Sequence, residues 1–285
     1  MNDTPGSRRN GLGLFRPEDN FPSRIVCLTE ETTETLYLLE EDWRIVGISG
    51  FTVRPARARK EKPKVSAFTS AKVDRIRELE PDLVLGFSDL QADIAADLVR
   101  HGLNVHIFNH RDIAGIFGMI SILGGMIGCE AKAAQLCARL AANLDSIRAS
   151  AAQFTTRPRV YFEEWDEPMI SGIRWVSELI GVAGGDDCFE DNSRQSLAKN
   201  RIIADPQEVV RRAPDIILGS WCGKKFQPRN VAARAGWGAV PAVANQQLHE
   251  IKSSIILQPG PAALTDGITA IHKVLKAWQA GTAAC

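Results

Sequence analysis

The sequence predicts an α/β protein of two similarly built lobes, joined by a single long α-helix and enclosing a ligand cleft. Three observations carry the prediction. Residues 73–86 read VDRIRELEPDLVLG and residues 206–219 read PQEVVRRAPDIILG, each a helix, then Pro-Asp, then an apolar strand ending in Gly. Solenoid units run to about 20–50 residues, so a repeat this widely spaced marks two lobes and not an array. Short apolar runs alternate with helical stretches along most of the chain, the pattern of a mainly parallel sheet covered on both faces. Between the repeats, 129–157 contains neither Gly nor Pro.

The elements follow in order. RIVCLT at 24–29 is a short apolar run suited to a buried strand, and 30–40 has helical character. IVGIS at 45–49 is a second strand, and the basic, Pro-containing stretch 50–64 is a loop. The helix at 73–80 ends before Pro81, because the residue preceding a proline is pushed out of the α region. Strands at 83–86 and 104–108 alternate with helices at 89–101 and 113–127. In 130–153, Leu136, Leu140, Leu144, Ile147 and Ala151 fall on one helical stripe, which predicts a rigid connector. A strand at 159–162, a helix at 175–182, an irregular loop at 183–200 and a helix at 207–212 come next. Strands at 216–219 and 248–251 follow, and Pro261, tolerated at a helix start, opens a closing helix to about 278. The expected divisions are an arm at 1–22, a lobe at 23–128, the connector at 129–156 and a second lobe at 157–285.

Composition narrows the function. Lys+Arg and Asp+Glu balance at 34 each, so no global field recruits nucleic acid or an anionic membrane. No segment approaches the roughly 18 apolar residues that span a bilayer. The six cysteines (27, 129, 137, 188, 222 and 285) form no CxxC pair, a scatter that suits a reducing compartment. The first twenty or so residues read as a flexible arm without the apolar run or cleavage site of a secretory signal. A cytoplasmic monomer is therefore expected.

The order of parts resembles the class III substrate-binding proteins of ABC importers. Its strongest matches are EPDLVLG and APDIILG, Thr33-Glu34 after the first strand, and the tail WGAVPAVANQQLHEI…PGPAALTDGI. YFEEWDEPMISGIRWVSELIGVAGG at 161–185 is similar to the second-lobe opening of the cobalamin-binding branch. The resemblance implies two Rossmann-like lobes, no catalysis, no cofactor of the protein's own, and a large metal chelate held between the lobes. Cobalamin or another corrinoid is the leading ligand. A periplasmic receptor for a ferric siderophore or haem is the alternative, and a cytoplasmic enzyme on the same fold the third.

The resemblance also places the cleft at the loops after the strand C-termini. In the first lobe these supply Phe51, Arg54, Ser88, Asp89 and His110. In the second they supply Glu163, Glu164, Trp165, Arg174, Trp175, Trp221, Cys222 and Lys224. The indoles and Phe51 offer flat apolar faces to a macrocycle. Arg54 and Arg174 offer charge-assisted contacts to anionic groups. Glu163, Glu164 and Asp166 accept from ligand amides or pair with Lys224 and Lys225. Adjacent strand residues point to opposite faces, so Glu163 and Glu164 cannot both face the cleft of a regular strand. His110 and Cys222 are candidate axial ligands to a bound iron or cobalt. Only His110 of the five histidines lies in a cleft loop, which argues against a dedicated site for a bare metal.

The importer proteins dock on an ABC permease through one Glu on each lobe. Glu34 matches the first within TTETL. Seven residues before Pro214 the chain has Gln207, with Glu208 adjacent, a displacement of about 100° around a helix. The expected reading is a cytoplasmic relative that binds a corrinoid without feeding a transporter. No GxSxG, Walker A, GxGxxG or HExxH motif is present.

Overall fold

A computed structural model describes residues 20–282. Most of the expected arm, 1–19, and Cys285 lie outside the described residues. Where the description begins, the Phe21 ring lies against Gly128 and Arg44 Nη1 donates to Pro22 O at 2.5 Å.

Two sheets form, one on each side of the long helix in sequence. The first joins β1 (Ile25–Cys27), β2 (Ile45–Ser49), β3 (Lys64–Ala67), β4 (Ser70–Ala71), β5 (Leu83–Phe87) and β6 (Val105–Phe108) in the order β4-β3-β2-β1-β5-β6. All pairings are parallel except β3 with β4. The second runs β11-β10-β7-β8, from β7 (Arg159–Asp166), β8 (Met169–Ser171), β10 (Ile216–Gly219) and β11 (Leu248–Glu250). In it, β9 (Asp186–Asp187) pairs with the start of β7. The central strands are continuous apolar runs because both of their faces are covered; every residue of β1, β5 and β10 is buried.

The repeated phrase does the same work twice. Asp82 accepts from the backbone N–H of Ser23 and Arg24, at 2.8 and 2.9 Å. Asp215 likewise accepts from Arg159 N at 2.8 Å. Each repeat aspartate thus ties its strand to the start of the neighbouring central strand, β1 or β7. Each repeat glycine sits where a later side chain folds back over the strand. A Cβ at Gly86 would stand 2.6 Å from Gln91 Oε1, and one at Gly219 only 1.9 Å from the Phe226 ring.

The helix Glu130–Ala151 runs 22 residues, about 33 Å. Its buried stripe is the expected one, Leu136, Leu140, Leu144, Ile147 and Ala151, with Ala133 added. All of these side chains except Ala151 belong to one apolar cluster that also holds Leu85 of the first sheet and Leu218 of the second. The lobes therefore share a core and are not merely held apart.

Several local expectations change. The stretch 50–64 contains a short helix, Ala58–Glu61, and leads into the edge strands β3 and β4, whose brevity and polarity hide them from a pattern search. Residues 163–165 are strand and not loop, because β7 continues to Asp166 and folds back as β8. The closing helix begins at Ile268, after a wide turn at Ala263–Gly267.

Candidate functional site

The C-terminal ends of the parallel strands in both sheets converge on one region. After β5 the chain turns through Ser88, whose backbone takes φ 78° and ψ 149°. That conformation is normally reserved for glycine. The turn aims the Ser88 hydroxyl at Asp89 Oδ1 (2.9 Å), to which it donates, while accepting from Leu90 N and from Arg111 Nη2, both at 3.2 Å. Arg111, after β6, also donates to Asp89 Oδ1 (3.0 Å) and His110 O (2.9 Å), and lies 4.8 Å over the Phe87 ring. Burial holds its guanidinium below the usual range; Asp89 opposes the shift and the Arg201 charge adds to it.

Arg201 belongs to the second lobe. It donates to Glu164 through Nη1 (2.7 Å) and Nη2 (3.1 Å), and to the Ser171 carbonyl at the end of β8. Its side chain is almost wholly buried, yet its Nε has no partner among the described residues. Thr52 Oγ1, His110 Nδ1 and Ser220 Oγ share that condition. All four lie at or beside these strand ends. Native structures rarely leave buried polar groups unpaired without a functional or solvent reason.

Apolar side chains border the same region. Phe51 (59% exposed), Val53, Leu90 and Ile202 stand open to solvent. Lys224 Nζ sits 4.3 Å from the Trp165 ring and 2.5 Å from Asp166 Oδ1. Cys222 is exposed; partial burial of its sulfur raises the thiol, and the charges of Glu30 and Glu164 add to that.

Behind these loops the lobes touch through a set of polar contacts. Glu34 accepts from Arg54 Nε (2.9 Å) and from Ala262 N (3.0 Å), and Arg54 Nη1 reaches Asp266 at 2.9 Å. His110 Nε2 donates to Pro259 O at 2.8 Å; burial lowers its basicity. Glu178 accepts from Ile113 N (2.8 Å), and Arg174 bridges Glu178 and Asp112. Alongside them lie two buried carboxyls without an ion-pair partner among the described residues. Burial pushes Glu30 up to about 8, with Glu31 adding, and Glu31 up to about 7, against a hydrogen bond from Thr29.

Several expected site residues are placed elsewhere. Trp175 is 3% exposed, its Nε1 donating to Ile256 O at 2.8 Å, so it is core. Trp221 is 4% exposed, packed edge-on against Phe226 and bonded to Glu163. Glu163 is wholly buried and held by Arg234 and Tyr161; strand alternation sends it inward and Glu164 toward the cleft. Arg54 and Arg174 spend their charge on the lobe junction. Arg174 also lines a surface groove of about 620 Å³ whose other walls, Arg157, Asp186, Glu190 and Arg194 among them, lie outside the predicted cleft loops.

Neither docking glutamate is free. Burial raises the Glu34 carboxyl, Arg54 opposes the rise, and both of its oxygens are engaged. Glu208 is tied to Arg211 and Arg212. The count of seven that leads from Pro214 to Gln207 leads from Pro81 to Asp74, whose side chain is 92% exposed. The repeat contained that signal. Arg111 directly follows the expected His110 in the loop after β6, whereas no local feature of the sequence marks Arg201. It is drawn in by the bridge between Ile170 and Ile202. Among the described residues no group of three or more His, Cys, Asp or Glu is placed to hold a metal ion, and no helix is long and apolar enough to cross a membrane.

Two α/β lobes on a shared long helix, with paired charges and apolar rims where their strand ends meet, define a two-lobed binding protein. The chain belongs to the periplasmic binding protein family, whose model matches residues 25–255. It is similar to the vitamin B12-binding protein of Vibrio campbellii, 25% identical over 242 residues that cover 83% of each chain. It is also similar to the ABC transporter substrate-binding lipoprotein YvrC of Bacillus subtilis, 23% identical, covering 87% of this chain and 78% of that one. Among solved structures, Staphylococcus aureus IsdE complexed with heme superimposes with a TM-score of 0.76 at 21% identity, covering 90% of this chain and 99% of IsdE. The expectation of a cytoplasmic protein is overturned: the family is one of periplasmic binding proteins, and a relative matching most of the chain is a lipoprotein.

Proposed function

We propose that the cleft carries a cobalt corrinoid as cargo, without catalysing a reaction on it. The observation that carries this reading is the cancellation of charge where the lobes meet. Arg111 faces Asp89, Arg201 faces Glu164, Lys224 faces Asp166, and Arg54 is shared by Glu34 and Asp266. A haem presents two carboxylates and calls for two cations free to meet them, whereas Arg201, Lys224 and Arg54 are each held by a carboxylate no more than 19% exposed, and Arg111 by one that is 46% exposed. A corrinoid periphery is mostly neutral amides, which need donors and acceptors side by side. Guanidinium–carboxylate pairs supply both. Phe51, Leu90, Ile202 and Trp165 supply the apolar edges that a macrocycle needs.

The relatives named for vitamin B12 support the same ligand. Delivery would be to an ABC permease, with the exposed Asp74 as the first-lobe contact in place of Glu34. Titration calorimetry with cyanocobalamin and with haemin tests the reading. Saturable one-to-one binding of cyanocobalamin is expected. Saturation by haemin with no heat from cyanocobalamin would overturn it.

A further inference from the structure

Two guanidiniums, one from each lobe, are held in place beside the strand ends. Arg111 is braced by the Phe87 ring, the His110 carbonyl and the Ser88 hydroxyl. Arg201 is braced by Glu164 and the Ser171 carbonyl. Each is held in one geometry before any ligand arrives, so little side-chain entropy remains to be lost on binding. Burial lowers the basicity of Arg111, and the Arg201 charge adds to that. A partly buried guanidinium of this kind is favoured by an anionic oxygen that comes beside it.

Arg111 is the member open to a ligand. Its Nε–H and second Nη1–H have no hydrogen-bond partner among the described residues. Its carboxylate partner, Asp89, is 46% exposed, so the pair is a weak surface one that an incoming anion can replace at small cost. Ser88, in its glycine-like conformation, presents its hydroxyl to both Arg111 and Asp89. Backbone strain of this kind persists where the surrounding structure enforces it, and it clusters at ligand clamps.

A complete corrinoid carries one anionic group, the phosphodiester that links its macrocycle to the lower nucleotide. We infer that Arg111 is the subsite for that phosphate. The protein then distinguishes complete corrinoids from those lacking the nucleotide loop. This inference rests on the corrinoid reading and adds a specificity-determining residue to it. The phosphate takes the place of the Asp89 carboxylate on Arg111, and Asp89, 46% exposed, is left to solvent.

The test compares cyanocobalamin with dicyanocobinamide, which lacks the nucleotide and its phosphate, by calorimetry on the full chain. Wild type is expected to bind cyanocobalamin at least about tenfold more tightly, the worth of one charge-assisted contact. Arg111→Met should bring the two affinities close to parity by weakening cyanocobalamin alone. Asp89→Asn removes the competing carboxylate and should widen the preference, with the melting temperature of each variant checking the fold. Equal affinities in wild type, or an Arg111→Met loss shared equally by both ligands, overturns the phosphate subsite and leaves the corrinoid reading intact. Binding of neither ligand by wild type overturns both.

Discussion

Glu163, wholly buried within β7, accepts from both terminal nitrogens of Arg234, at 2.5 and 2.9 Å. Trp221 Nε1 and the Tyr161 hydroxyl donate to the same carboxylate, at 3.1 and 2.9 Å. What reads in sequence as a cleft acid is the centre of a polar network in the second lobe. Breaking a buried pair by removing one partner strands the other charge, at about 3–5 kcal/mol. Arg234→Met should cost about that much in urea denaturation. The double variant with Glu163→Gln should recover part of the loss; equal losses in single and double variants would remove the network from the account.

The indoles divide into buried and partly open. Trp221→Ala should destabilise the fold by about 3–5 kcal/mol, as for other buried large-to-small changes. Trp165→Ala, at a partly open site beside Lys224, should leave the melting temperature nearly unchanged and weaken cyanocobalamin. The reverse pattern in paired thermal and calorimetric measurements would reassign both residues.

Gly260 is set by the lobe junction. A Cβ there would stand 2.6 Å from Glu31 Cβ and 3.1 Å from Glu31 Cα, and backbone cannot yield as a flexible side chain does. Gly260→Ala should cost about 1–3 kcal/mol, the usual range for overpacking. An unchanged unfolding midpoint would show that the junction is looser than this contact implies.

Ser88 offers a controlled comparison. Ser88→Ala removes the hydroxyl and keeps a side chain on a left-handed backbone, whereas Ser88→Gly removes the hydroxyl and relieves the strain. The glycine variant should be the more stable of the two by about 1–2 kcal/mol. Denaturation curves of the pair decide it.

The buried carboxyls give a pH dependence with a definite sign. Glu30 and Glu31 rise from an ordinary value of 4.5 to about 8 and about 7 on folding. The folded chain therefore holds more protons than the unfolded chain between those limits, and this contribution to stability falls as pH rises through them. Glu30→Gln with Glu31→Gln should gain melting temperature relative to wild type between about pH 5 and about pH 8. A difference that stays flat with pH would sink the assignment.

The two repeated phrases, the apolar strands and the stripe from Leu136 to Ala151 were legible in sequence. Strand and helix periods are local, so each is written within a dozen neighbouring residues. The aspartate and glycine of each repeat carry the same structural duty twice, which is why the repeat pointed to two lobes. Which way Trp165, Trp175 and Trp221 face is not local in that sense, nor is the choice between Arg174 and Arg201 as a cleft cation. Those outcomes depend on what stands opposite once the sheets are assembled. Arg234, 71 positions away, claims Glu163, and Ala262, 228 positions away, claims Glu34. A buried charge takes whichever partner the fold brings within reach, so the candidate site took its final form only in three dimensions.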